Sequence, residues 1–468
     1  MKIDRIIGVI ALAGIIAAGS TSCQSTRKYK SPEIETQALF RGENPSDTTT
    51  IANIPWQEYF TDPMLRELID QGLRNNFDLN IAFTRIQQAE ANLSIARSSF
   101  FPTVALIGQV NHTQLSNGRD GKNILGYPST NYTLGISSTW EVDIWGKLSA
   151  QKRAQYAQFL NSHAYRNLIQ TSLIANIATS YYALMALDEQ LRVTRENIKL
   201  LEKTTESMQA MFDAGLQNRA GVGSTKALLY GTKATIPDLE SLIWQTENAI
   251  SVMLGREPGP IIRGTIAKQT LSPQLDHGVP AQMLAKRPDV TQAELAFRSA
   301  FELTNATRSS FYPSITLGTG SMIGYASNSL SQFFKPQNIL ANLVGGLTQP
   351  IFAQKQLRGN LKIAKARQEE ALLNFEKTVL GAGQEVSNIV YSYRASLSKN
   401  QVRDGQVEAM ALVVEDTQEL LAQGVVNYLE VITAQQNLLQ VQLVQINDKL
   451  EQLQYSVNLY KALGGGAE

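Results

Sequence analysis

The chain has 468 residues and nearly balanced charge, 42 basic against 41 acidic side chains. It is long enough for two or three ordinary domains, but its charge balance gives no basic surface of the kind nucleic acid needs, so no nucleic-acid partner is expected. One Cys excludes an intrachain disulfide framework and a multi-Cys metal site.

The N-terminus carries Lys2 and Arg5, then the apolar run Ile6–Ala18, then the small residues Gly19–Ser22 leading to Cys23. This pattern predicts a signal peptide over 1–22, too short to span a bilayer well. Cys directly after the small-residue site resembles a bacterial lipobox, whose Cys becomes a lipidated N-terminus. Lipidation at Cys23 is the expectation, with residues 23–62 as a lipid-anchored tether. The alternative is an ordinary signal peptide with an incidental Cys. No later stretch reads as a transmembrane helix.

The rest of the chain repeats itself. Arg97-Ser-Ser-Phe-Phe-Pro-Thr-Val-Ala-Leu106 matches Arg308-Ser-Ser-Phe-Tyr-Pro-Ser-Ile-Thr-Leu317, and Asn76–Ala82 sits opposite Arg287–Ala293. Gly215 pairs with Gly424, and Leu254-Gly255 with Leu463-Gly464. These matches predict a tandem duplication, with a first repeat over 63–255, a Pro- and Gly-rich equatorial connector over 256–279 outside the rods, and a second repeat over 280–465.

Each half reads as helix, hairpin, long helix, return helix. The first helix is expected over Pro63–Phe100, with its copy over Pro280–Phe311. Pro102 and Pro313 then block continuation, and the pattern changes to alternation. Tyr132, Leu134, Ile136, Trp140 and Val142 alternate with polar or small residues. Val104, Leu106 and Val110 do so on the partner, Ile315, Leu317, Ile323 and Tyr325 on a third strand, and a fourth falls near Leu340–Ile351. Strands of this length fit a tilted membrane crossing. Loops over Ser116–Thr130 and Ala326–Asn338 join them. Phe100, Phe101, Trp140, Trp145, Phe311, Tyr312 and Phe352 cluster at the other strand ends, like a membrane-interface girdle. A soluble hairpin with a core-facing stripe is the alternative.

Lys147–Ala214 runs without one Gly or Pro between Gly146 and Gly215. As continuous helix it is about 100 Å long. Its copy, Gln354–Gln423, contains Gly359, Gly381, Gly383 and Gly405, where bending is expected. The last helix carries a heptad seam from Leu429 to Tyr460. Four strands leave two open edges, which lipid does not tolerate. Closing them with other copies predicts a homotrimer, since twelve strands can leave an aqueous lumen and eight cannot.

Lys286-Arg-Pro-Asp-Val-Thr-Gln-Ala-Glu294, Trp140-Glu-Val-Asp-Ile-Trp-Gly146, Gly424-Val-Val-Asn-Tyr-Leu-Glu-Val431 and Tyr455-Ser-Val-Asn-Leu-Tyr-Lys-Ala-Leu-Gly464 resemble the TolC-like outer membrane efflux proteins, in particular their OprM-like lipoprotein branch. The resemblance covers about Trp56–Gly465. It implies an α+β membrane protein: a transmembrane β-barrel built from four strands per protomer of a trimer, continuous with a long antiparallel α-helical barrel, or tunnel, in the periplasm. It implies an outer membrane efflux channel, with outer membrane lipids, a periplasmic adaptor and an inner-membrane pump, RND type, as partners. It also implies a periplasmic gate just past the second turn, matching Glu430, with Leu429 and Val426 beside it and Thr433 where many members carry Asp. The turns at Gly215, Leu216, Gly424 and Val425 are the expected adaptor-docking tips. A pair between Asp213 and Arg219 across the first turn is possible.

No Gly-rich phosphate loop, metal-ligand spacing or His near a partner acid or nucleophile occurs, so no enzyme, metal or cofactor is expected. A periplasmic adaptor lipoprotein with one long helical hairpin remains the alternative function.

Overall fold

A computed structural model describes residues 26–32, 54–114, 129–269, 287–320 and 322–467. The expected signal peptide, Cys23, most of the Ser116–Thr130 loop and the second half of the connector lie outside the described residues. The described elements are α1 (Trp56–Tyr59), α2 (Pro63–Asn75), α3 (Phe77–Ser98), β1 (Thr103–Thr113), β2 (Ser129–Val142), α4 (Lys147–Asp213), α5 (Arg219–Met253), α6 (Pro288–Ser309), β3 (Ser314–Gly318), β4 (Ile323–Ser327), β5 (Ile339–Ala341), β6 (Val344–Thr348), α7 (Gln356–Ala422) and α8 (Tyr428–Ala462). They fall into two compact units, one holding the sheet with 26–32, 87–160 and 294–373, the other 54–86, 161–269, 287–293 and 374–467.

The rods α4 and α7 are 67 residues each and their return helices α5 and α8 are 35 each. The glycines expected to loosen the second rod do not interrupt it. A mid-helix Gly costs about 1 kcal/mol, and packing of Phe375, Val379 and Ala382 against Val290 offsets that on this stretch.

The single helix expected over Pro63–Phe100 is two helices broken at Asn76. Asn76 is extended, and its Oδ1 accepts from the Leu79 N–H at 3.0 Å, capping α3. Its Nδ2 donates to the Met253 carbonyl at 2.9 Å, in the last turn of α5. One side chain thus joins the end of one helix to the start of another. Gly255 follows with φ +65, and a Cβ there would lie 2.4 Å from the Asn75 carbonyl oxygen, so only glycine fits.

The core of the second unit gathers Tyr181, Leu184 and Met185 of α4, Ile250 of α5 and Leu453, Val457 and Tyr460 of α8. One expectation changes here. Residues 54–62 are no tether: Trp56, Tyr59 and Phe60 are buried in this core, and Tyr59 stacks on Tyr460 with ring centroids 4.2 Å apart. The described part of the connector packs against this core: Ile261 and Ile266 are buried, and Arg263 bridges Asp188 and Glu247 at 2.5 Å. Short apolar segments without a period bury as well as helices do, but leave no pattern to read.

In the other unit the sheet is antiparallel. β1 pairs with β2 along its whole length, β2 with β3 and β4, and these with β6 and β5. The expected third and fourth strands are each split. Between the pairs Ile136↔Ile323 and Thr139↔Gly318 the third strand has two residues more than β2. This is a bulge: Thr319 Oγ1 accepts from the Ser138 N–H at 3.0 Å, and Gly320 takes φ +65.

Register sorts the side chains onto two faces. Val104, Leu106, Val110, Leu134, Ile136, Trp140, Ile315, Leu317, Ile323, Tyr325 and Leu347 share one face. Gln109, Asn111, Asn131, Thr133, Ser137, Thr139, Glu141 and Thr316 share the other. The apolar face is open, with Leu106 75% exposed.

Residues 26–32, also expected as tether, dock on α6. The Arg27 N–H donates to Asn305 Oδ1 at 3.1 Å, Tyr29 packs on Phe297 and Phe301, and Ser31 Oγ donates to Glu294 at 2.6 Å.

Candidate functional site

Both rods end in the same turn. Gly215 and Gly424 each take φ +77. The Leu216 N–H reaches the Met211 carbonyl at 2.8 Å and the Gly215 N–H that of Phe212 at 2.9 Å. Val425 and Gly424 repeat this with Leu420 and Leu421. These are Schellman caps, in which a left-handed glycine satisfies the last helix carbonyls. Asn218 and Asn427 then start the return helices by accepting from the Gly221 N–H and the Leu429 N–H, both at 2.9 Å. Leu216 and Val425 protrude, 74% and 67% exposed.

Glu430 lies three residues past the cap Asn427, is exposed, and its Oε1 accepts from Asn427 Nδ2 at 3.3 Å. Leu429 and Thr433 are exposed on the same turn and Val426 is half-buried. The Thr433 hydroxyl donates to the Leu429 carbonyl at 2.8 Å, so it bonds within its own helix.

The first-half counterpart, Gly221, is buried. A Cβ there would meet the Tyr428 ring at 2.9 Å and Met208 at 3.1 Å. Tyr428 thus packs where a first-half side chain would stand, leaving Glu430 as the carboxylate of this position. Sequence reasoning passed over Tyr428, whose only signal was its place beside the Asn427 cap. Asp213 accepts from Gln209 Nε2 at 2.9 Å rather than pairing with Arg219.

The expected girdle residues meet at the helix-bearing rim of the sheet. Trp140 Nε1 donates to the Phe100 carbonyl at 2.9 Å, and Trp145 Nε1 to that of Pro313 at 2.7 Å. Trp145 stacks on Tyr312 at 4.9 Å. Phe101 is exposed, and the half-buried Phe311 offers its carbonyl to Gln349 Nε2. Indoles with bodies in apolar surroundings and N–H groups on carbonyls suit a membrane interface.

A family profile described as outer membrane efflux protein matches residues 68–256 and 279–465. The chain belongs to the outer membrane efflux protein family. It is similar to the probable outer membrane lipoprotein SilC of Salmonella typhimurium, 28% identical over all of this chain and 99% of that one. The toluene efflux pump outer membrane protein TtgC of Pseudomonas putida is 27% identical over 98% of this chain and 95% of its own. The open-state crystal structure of the Neisseria gonorrhoeae MtrE outer membrane channel superposes with TM-score 0.84 at 25% identity, covering 95% of this chain and 99% of that one.

The fold is therefore that of outer membrane efflux channels, a helical tunnel with transmembrane strands, and the protein works in the outer membrane as an efflux channel. The family match extends through both halves, which removes the single-hairpin adaptor alternative. Among the described residues no helix is long and apolar enough to cross a membrane.

Proposed function

We propose that three copies of the chain close into one passive duct, joined at its helical turns to a periplasmic adaptor and fed by an inner-membrane pump of the RND type. The observation that carries this reading is the sheet. It has an apolar face, a hydroxyl- and amide-rich face, and no partner strand, among the described residues, beyond β1 on one side or β5 and β6 on the other. Unpaired edges in hydrocarbon cost several kcal/mol per group. Copies that supply each other's edges remove that cost, and the polar face then lines water.

The turns at Gly215, Leu216, Gly424 and Val425 are the docking tips in this reading. Glu430, with Leu429, Val426 and Thr433, forms the gate where three copies converge. Cys23 carries the lipid. Support comes from Thr26, whose methyl would lie 3.3 Å from a Cβ at Gly146 on the sheet's helix-bearing rim. The described chain therefore begins, three residues after Cys23, next to the residue that follows the girdle's Trp145. Solute class is set by the pump.

The test is the mass of the protein extracted in detergent. Light scattering should give a protein mass near three times the 51.5 kDa chain. A well-folded monomer stable in plain buffer would overturn the reading.

A further inference from the structure

The exposed apolar surface of the sheet continues past its strands. Ile351 and Phe352, between β6 and α7, are 99% and 83% exposed. Lys355, Arg358, Lys362 and Lys365 follow, all exposed. Spacings of four and three place the last three on one face of α7, and no acid precedes Glu369 on that helix.

The halves differ at this point. In the first half Asp143 caps α4, accepting from the Leu148 and Ser149 N–H groups at 2.9 and 2.8 Å. Phe352 holds the matching place before α7, and Arg358 stands in its first turn with Lys355 just ahead of it, against the preference of a helix N-terminus for negative charge. Gly146 takes φ +72 in the first half, whereas the matching residue in the second is Lys355 at φ +65. A non-glycine there costs about 1 kcal/mol.

More cations stand on the same side. A groove lined by Ala300, Leu303 and Thr307 of α6 and Asn360, Ile363 and Arg367 of α7 marks one side of this helix pair. The docked segment 26–32 lies on Phe297, Phe301 and Asn305, the opposite side of α6. At 100° per residue, Arg358, Lys362 and Lys365 likewise turn away from the groove. Arg27 and Lys28 are exposed on the docked segment. Arg308 lies beside them, and burial and the charge of Arg27 both push its guanidinium down. The nearby acids are engaged: Glu302 is buried against Arg153, Glu141 pairs with Lys147, and Glu294 accepts from Tyr29 and Ser31.

We infer that this rim, Arg358, Lys362 and Lys365 with Arg27 and Lys28, binds the headgroups of anionic phospholipids in the leaflet where the girdle sits, while Ile351 and Phe352 enter their acyl region. This rests on the reading that the sheet spans a bilayer. Headgroup phosphate matches several converging cations, each contributing about fivefold near a membrane surface, and aromatic side chains fix the depth.

The experiment reconstitutes the full chain in phosphatidylcholine vesicles carrying a small share of spin-labelled phosphatidylglycerol or, separately, spin-labelled phosphatidylcholine. Wild type should immobilise the anionic label in preference, and added salt should weaken that preference. In R358Q/K362Q/K365Q the preference should fall about fivefold or more, while the charge-conserving R358K/K362R/K365R keeps it. Equal retention of both labels by wild type, or an unchanged preference in the neutral variant, would overturn the inference. Quenching of tryptophan fluorescence by brominated phospholipid separates the two readings. No quenching defeats the bilayer-spanning sheet, whereas normal quenching without lipid preference defeats the headgroup site alone.

Discussion

Arg287 Nη1 donates to the Ala462 carbonyl at 2.7 Å, just as Asn76 Nδ2 donates to that of Met253 at 2.9 Å. These are matching positions of the two halves, and each ties the start of a strand-bearing helix to the end of a return helix. The second uses a cation, favoured at a helix C-terminus by the macrodipole, and holds it with Asp289 at 2.8 Å and Glu385 at 2.6 Å. Arg287→Ala leaves Glu385 and the Ala462 carbonyl without this donor, and Asp289 with only the Val290 N–H. It should cost about 3 kcal/mol, read as an earlier midpoint in denaturant unfolding followed by far-UV circular dichroism in detergent. Arg287→Lys should recover only part of the loss, because an ammonium lacks the planar fork. A midpoint unchanged in the alanine variant would show that the junction contributes nothing.

Asp289 makes the same junction sensitive to acid. Desolvation alone would push its carboxyl up, but the hydrogen bond and charge of Arg287 outweigh that and hold it below the ordinary carboxylate range. A carboxyl depressed in the folded state contributes stability that is fully present above its unfolded value of about 3.9. That contribution disappears as pH falls through the lower folded value. Helix content should therefore drop more steeply below about pH 4 in wild type than in Asp289→Asn, which lacks that contribution at every pH. Parallel acid limbs would count against it.

At the turns, Glu430 holds a charge that its first-half counterpart Gly221 cannot supply. In the proposed trimer three such carboxylates would stand near one axis, repel one another and attract cations. Glu430→Gln keeps the length of the side chain but removes its charge, and should shift the channel in planar bilayers toward weaker cation preference. Glu430→Ala should also loosen the turn and raise conductance. If neither selectivity nor conductance changes, Glu430 is only a helix-start residue bonded to Asn427.

Much of this was legible in the residues, for reasons that also mark the limits. The rods could be read because a long stretch lacking Gly and Pro has few other conformations, and their ends because Gly215 and Gly424 alone tolerate the left-handed cap. The break at Asn76 was not legible: its partner, the Met253 carbonyl, is distant in the chain. The split of the third strand hid for a different reason. An insertion of two residues leaves alternation in phase, so Ile315, Leu317, Ile323 and Tyr325 read as one strand. Glu430 was singled out by the family resemblance, but the burial of Gly221 under Tyr428 needed the packing of two helices distant in sequence.

The two faces of β2 give the sharpest check on which side meets lipid. Ile136 and Thr133 lie on opposite faces, paired with Leu106 and Gln109 of β1. Arginine on a lipid face near the bilayer middle costs about 2–4 kcal/mol, while lumen substitutions mostly tune selectivity. Ile136→Arg should therefore reduce the yield of folded, membrane-inserted protein, measured as the heat-modifiable band on gels of outer membranes. Thr133→Arg should insert at near wild-type yield and shift conductance toward anions. The reverse pattern would mean that the hydroxyl face meets lipid, and the duct would have no water-lined wall.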